Sequence, residues 1–337
     1  MSRLSLTATG LAIDGEPALI QAGVLHYARL PAPELWEPVL HAIRMAGLNA
    51  VLVPFPWAYH SPAPGFHDFT GLRDVRRLLD AVARAGLWLI PHIGPWLGMD
   101  LDGGGLPAWL HRSPESHPIL SSAARSALVP APATVGGEPP DPGPSPRFLR
   151  HVATWWEPLL RHILAQPNLL TLLLDPGQTA AGQPLPGYAQ PLVTLARRLG
   201  VRVPLALPER CMNDVRDAPD LGDVMPWEKP EPATAARSRP LSGDQSASSA
   251  TPRGIAWLDL SLPVSWGASA PAPVARAAGV GHPRPLLNWA VGRDFPIMIL
   301  DPFHSGINWG WEGAVGSTTL QGFGAAIGEA ALPLAPY

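Results

Sequence analysis

Three stretches of the chain share one order: an amphipathic helix pattern, a glycine, then a short apolar run. Residues 32–47, APELWEPVLHAIRMAG, lead into LNAVLVP; residues 70–86, TGLRDVRRLLDAVARAG, into LWLIPHI; residues 191–200, PLVTLARRLG, into VRVPLAL. In the second, Leu72, Val75, Leu79 and Val82 recur at helical spacing. Thr70 is placed as its N-cap, and Gly86 suits the left-handed position that ends a helix. The apolar runs do not alternate with polar residues, as expected of strands covered on both faces. Strands and helices in alternation require a parallel sheet. Strands are expected at 18–25, 48–54, 87–93, 169–175, 201–207, 255–260, 296–301 and 318–323. Eight such units in 337 residues form an α/β chain with a single (β/α)8 barrel over residues 1–337. A doubly wound sheet is the competing arrangement, but no glycine-rich nucleotide fingerprint follows the first strand.

Two segments interrupt the rhythm. Residues 113–146 and 229–253 are rich in Pro, Ser, Gly and Ala, too poor in apolar side chains to fold alone, and are read as mobile insertions. A net charge of −3 gives no field that selects nucleic acid or an anionic membrane. One cysteine, Cys211, excludes an internal disulfide and a thiolate zinc site, and the histidines lack metal-ligand spacing. No cofactor or metal is expected. No run of about 18 apolar residues offers a membrane span. The N-terminus lacks the apolar core of a signal peptide, so a cytoplasmic location is expected. Oligomeric state is not readable.

In a barrel of this kind, function collects at the C-terminal strand ends. The first carries His26, Tyr27 and Arg29; the second Trp57, Tyr59 and His60; the third His92, Trp96 and Asp100. The fourth ends in Asp175. The run placed seventh ends in Asp301, followed by His304, Asn308 and Trp309. Facing carboxylates among aromatic rings suit carbohydrate chemistry, because apolar sugar faces stack on rings while hydroxyls need planar donors and acceptors. Trp109 and Trp156 are read as packing residues.

These motifs resemble the catalytic barrel of glycoside hydrolase family 35, the β-galactosidase family. Its members carry G-E-x-H-Y-x-R-x-P, which here reads Gly23 to Pro31. G-L-N-A-V matches Gly47 to Val51, and W-N-x-H-E-P reads Trp57 to Pro62. R-P-G-P-Y-x-x-x-E-W-x-x-G-G-L-P-x-W-L has its look-alike in residues 92–110, HIGPWLGMDLDGGGLPAWL. By these motifs the resemblance runs from about residue 10 to 332. The departures fall on carboxylates: the family's glutamates are replaced by Val24, Ser61 and the shorter Asp100. The acid/base position of the fourth-strand E-N-E-Y-G run falls on Gly177, and the nucleophile position on Asp301. The resemblance implies a β-galactoside-type carbohydrate as ligand. On one reading the barrel acts on it with Asp175 as acid/base and Asp301 as nucleophile or base, while Tyr27, Trp57, Trp96, Asp100, His304 and Trp309 bind sugar. On the alternative it is a catalytically inactive glycan-binding or structural pseudoenzyme on the same scaffold.

Overall fold

The computed structural model describes residues 4–7, 10–98, 101–111, 143–178, 184–215, 223–229, 254–259 and 289–304. Three short strands, β1 (Leu4–Thr7), β2 (Gly10–Ile13) and β3 (Glu16–Ala18), form an antiparallel sheet. The chain then enters β4 (Ile20–Val24), the first stave of a closed parallel barrel. The other staves are β5 (Ala50–Pro54), β6 (Trp88–Pro95), β7 (Leu172–Asp175), β8 (Leu205–Pro208), β9 (Val224–Glu228), β10 (Ile255–Asp259) and β11 (Ile297–Asp301). β11 closes the ring by pairing with β4, Ile297 opposite Ile20. The chain is therefore an eight-stranded (β/α) barrel, as the repeated helix–glycine–strand pattern predicts.

Strand parity sorts the side chains into two layers. Ile20, Ala22, Val24, Leu52, Ile90, Leu173, Ala206, Met225, Trp227, Ile255, Trp257, Ile297 and Ile299 fill the interior. Val51, Val53, Leu89, Leu172, Leu174, Leu205 and Leu207 face outward and pack against the helices. Leu4 and Leu11 of the small sheet join the interior cluster. Because β3 runs directly into the start of β4, that sheet lies at the N-terminal end and leaves the opposite end as the mouth.

The helices obey their sequence signals with small shifts. The second begins at Val75, and Asp74, not Thr70, caps it by accepting from Arg77 N–H at 2.9 Å. Thr70 precedes a separate 3₁₀ turn, Gly71–Arg73, which carries Leu72 out to 44% exposure. Gly86 does take the left-handed conformation, at φ 67°. The Pro146–Ile163 helix starts with Ser145 accepting from Phe148 N–H at 3.1 Å, so Ser145 and Pro146 belong to the helix and not to the insertion placed at 113–146. Residues 112–142 and 230–253 lie outside the described residues, as does the strand expected at 318–323.

That eighth strand is not needed to close the ring, because the sequence reading passes over β9. Its residues, VMPWE, alternate in burial and contain Pro226, so they do not resemble a fully buried run. Gly254 fits closely beside it: a Cβ there would lie 1.8 Å from the Pro226 carbonyl oxygen. Counting β9 moves the later strands round by one. Residues 255–259 are the seventh barrel strand, and Asp301 ends the eighth, not the seventh.

Candidate active site

The inward parity that fills the barrel continues to its mouth. His26 extends the row Ile20, Ala22, Val24; His92 follows Ile90; Asp175 follows Leu173; Trp257 follows Ile255; Asp301 follows Ile297 and Ile299. Among the described side chains, two carboxylates thus stand at the mouth on the fourth and eighth strands, opposite positions in a ring of eight.

Asp301 is held on both oxygens. His26 Nε2 lies 2.7 Å from Oδ1, and Trp257 Nε1 donates to Oδ2 at 3.1 Å. Burial by itself pushes this acid up. The charge and hydrogen bond of His26, the charge of Lys229 and the Trp257 N–H outweigh burial and bring the pKa down to about 2. The backbone N–H of His26 donates to His304 Nε2 at 2.9 Å, which leaves the proton of a neutral His304 on Nδ1.

Asp175 is held differently. Gly177 N–H donates to its Oδ1 at 2.8 Å, and Arg210 reaches its two oxygens at 3.3 and 3.2 Å. Burial raises its pKa to about 6 against the opposing pull of Arg210 and the Gly177 N–H. The two acids therefore couple to pH in opposite directions. Asp175 has a folded pKa above its unfolded value of about 3.9, so its contribution is present below about pH 4 and is lost as pH rises through about 6. Asp301 contributes above about pH 4, and that is lost as pH falls towards about 2. Asp175→Asn is expected to gain stability on wild type by roughly 1–3 kcal/mol between pH 4 and 7. Denaturant midpoints across that range check this, and parallel pH curves for the two proteins contradict it.

The other sequence candidates divide. Trp96 stands at the rim, half-buried, its ring lying on Gly104: a Cβ there would come within 2.3 Å of it, and Gly104 has φ 65°. Within the glycine run at 103–105, this is the use of Gly104. Tyr27 and Trp57 are not brought to the mouth. Each falls in a helical turn just past a strand end and is turned into the outer layer. Tyr27, 1% exposed, donates its hydroxyl to His60 Nε2, while His60 Nδ1 donates to the Asp68 carbonyl at 2.7 Å. Trp57 stacks on Trp155 at 6.3 Å. Trp109 packs as expected and donates to the Ser61 carbonyl at 2.8 Å. Asp100 and Trp309 lie outside the described residues. Arg210, Trp227 and Trp257 were not singled out from sequence. Trp227 lies on the strand passed over, Trp257 reads as core within an apolar run, and Arg210 follows strand five in a stretch with no motif.

The family model described as Glycosyl hydrolases family 35 matches residues 10–121, a shorter span than the motif reading gives. A beta-galactosidase-1-like protein of Mus musculus is 42% identical over 112 residues, 33% of this chain and 17% of that protein. A probable beta-galactosidase C of Aspergillus niger is 41% identical over 101 residues, 30% of this chain and 10% of that protein. The match therefore spans less than a fifth of either relative's length. Among solved structures, an exo-beta-1,4-mannosidase from an Opitutaceae bacterium superposes with TM-score 0.53 at 15% identity, over 89% of this chain and 55% of that one. A beta-galacturonidase from Eisenbergiella tayi does so with TM-score 0.54 at 12% identity, over 99% and 52%. At such identities these two speak for the barrel fold alone. What the sequence match shows is a likeness confined to residues 10–121: over that third of its length the chain is similar to glycoside hydrolase family 35.

Proposed function

We propose that the barrel mouth binds a β-galactoside-type carbohydrate without performing retaining cleavage of it, as a glycan-binding barrel. The observation that carries this is Gly177. The family resemblance puts the proton donor at this position; here it has no side chain, a φ of 99° and an N–H committed to Asp175. Loss of a general acid costs about 10²–10⁴-fold in rate. The placement of the acids supports the same reading. Eight strands about 4.8 Å apart, tilted by about 36°, make a ring about 15 Å across. An aspartate carboxyl carbon lies about 2.5 Å from its Cα. Inward-facing aspartates on the fourth and eighth strands are then about 10 Å apart, too far for Asp175 and Asp301 to work as a retaining pair, whose carboxyl groups stand about 5–5.5 Å apart. The ligand class comes from the names of the relatives and from a rim that offers Trp96 for stacking and Arg210 for hydroxyls.

A second reading is favoured by one observation: the pKa of Asp175, about 6, suits a proton donor. It is slow inverting hydrolysis, Asp175 donating and Asp301 activating water. One pair of measurements separates the two. Calorimetry with methyl β-D-galactoside is expected to show saturable binding, and 4-nitrophenyl β-galactoside to release no more phenol than with the Asp301→Asn protein. Asp301-dependent release giving an inverted sugar by NMR establishes the second reading. A retained product contradicts both.

A further inference from the structure

The third strand carries a feature that neither acid explains. His92, 1% exposed, faces into the barrel between two indoles, with ring centroids 5.6 Å from Trp257 and 6.5 Å from Trp227 and both contacts edge-on. Among the described residues, neither of its ring nitrogens has a hydrogen-bond partner, and Trp227 Nε1 has none either. Among the described residues, three polar atoms without partners thus stand in the top inward layer, on rings that flank the Trp257 indole that donates to Asp301. Buried polar atoms are nearly always satisfied in folded proteins, and leaving one unsatisfied is unfavourable. Strand three also shifts register between His92 and Gly94, a bulge of the sort that re-aims a side chain beside a site. His92 stands where the family motif carries arginine, so this group belongs to the present chain.

We propose that His92 and Trp227 form the floor of the sugar site and take an uncharged hydroxyl of the bound carbohydrate. The inference rests on the sugar-binding reading above and names the groups that make it selective. A neutral imidazole offers one N–H and one lone pair, and an indole offers one N–H. A hydroxyl, which both donates and accepts, can donate to the imidazole lone pair while accepting from the indole N–H. A carboxylate accepts only: it would leave the imidazole lone pair unmet and would stand in the field of Asp301, whose charge reaches His92. An ammonium donates only and would meet two N–H groups. Burial keeps the imidazole neutral, with a pKa of about 3. Both indoles that touch His92 are themselves buried, 7% exposed at Trp227 and 3% at Trp257, so binding at His92 changes tryptophan fluorescence.

The test is calorimetric titration of the full chain with methyl β-D-galactoside and with galacturonate, alongside thermal melts. His92→Phe keeps the ring shape and removes both nitrogens. It is expected to weaken galactoside binding about tenfold or more with the melting temperature unchanged or raised. His92→Gln, which keeps a donor and an acceptor, recovers part of that affinity, and galacturonate binds at least tenfold more weakly than the galactoside to wild type. Wild-type binding matched by His92→Phe overturns the inference and leaves the sugar-binding reading standing. Galacturonate binding as tight as the galactoside overturns the hydroxyl assignment. Failure of wild type to bind the galactoside overturns the sugar-binding reading and this inference with it.

Discussion

Trp156→Ala is expected to lower the unfolding free energy by about 4 kcal/mol, near the upper end for a single core truncation. Trp156 is fully buried on the Pro146–Ile163 helix, within the outer core that joins that helix to the barrel. Its indole does two jobs. It fills the interface, and its Nε1 donates to the Ile93 carbonyl at 3.1 Å, fixing strand three between His92 and the bulge at Gly94. Alanine removes the volume and leaves a buried carbonyl without that donor. Trp156→Phe retains most of the volume and is expected to cost about 2 kcal/mol. Equilibrium urea unfolding of the three proteins measures both. A loss under 1 kcal/mol for alanine contradicts the packing described for this helix.

Asp301→Ala is expected to cost about 3 kcal/mol at pH 7. The carboxylate is 5% exposed and answers two buried donors, His26 Nε2 and Trp257 Nε1; its removal strands both. The pH dependence carries the sharper signature. With a folded pKa of about 2 against about 3.9 in the unfolded chain, the carboxylate's own contribution is present above about pH 4. It is lost as pH falls towards about 2. The gap between wild type and Asp301→Ala is therefore expected to narrow between pH 4 and 2 and to stay constant between pH 5 and 7. A gap constant across the whole range contradicts the pairing with His26.

The barrel is legible because most of its strands are buried on both faces and three of them, β5, β6 and β8, follow a helix that ends in glycine. Gly47, Gly86 and Gly200 all take positive φ, at 85°, 67° and 96°. Asp175 and Asp301 are legible for a related reason: a carboxylate closing an apolar run sits on the strand itself, so parity aims it. Tyr27 and Trp57 fall just beyond strand ends, where a helical turn replaces the two-residue alternation and turns the ring outward. β9 escapes because Pro226 and Glu228 break the apolar run, although Met225 and Trp227 do alternate inward. That miss also hides Trp227 and sets Asp301 on the wrong strand. His92 is visible in sequence as a strand-three residue, but the want of hydrogen-bond partners for its nitrogens is a property of three-dimensional packing, which no pattern in one strand reports.

The central claim is that side chains from opposite walls of the barrel meet a neutral sugar at the C-terminal mouth and leave its glycosidic bond whole. A crystal of the full chain soaked in methyl β-D-galactoside tests this most directly. The expected result is an intact galactoside beneath the Trp96 rim, within hydrogen-bonding distance of Arg210 and of His92 or Trp227. A galactosyl group joined covalently to Asp301, or a sugar seated only on the outer helices or at the small antiparallel sheet, contradicts it.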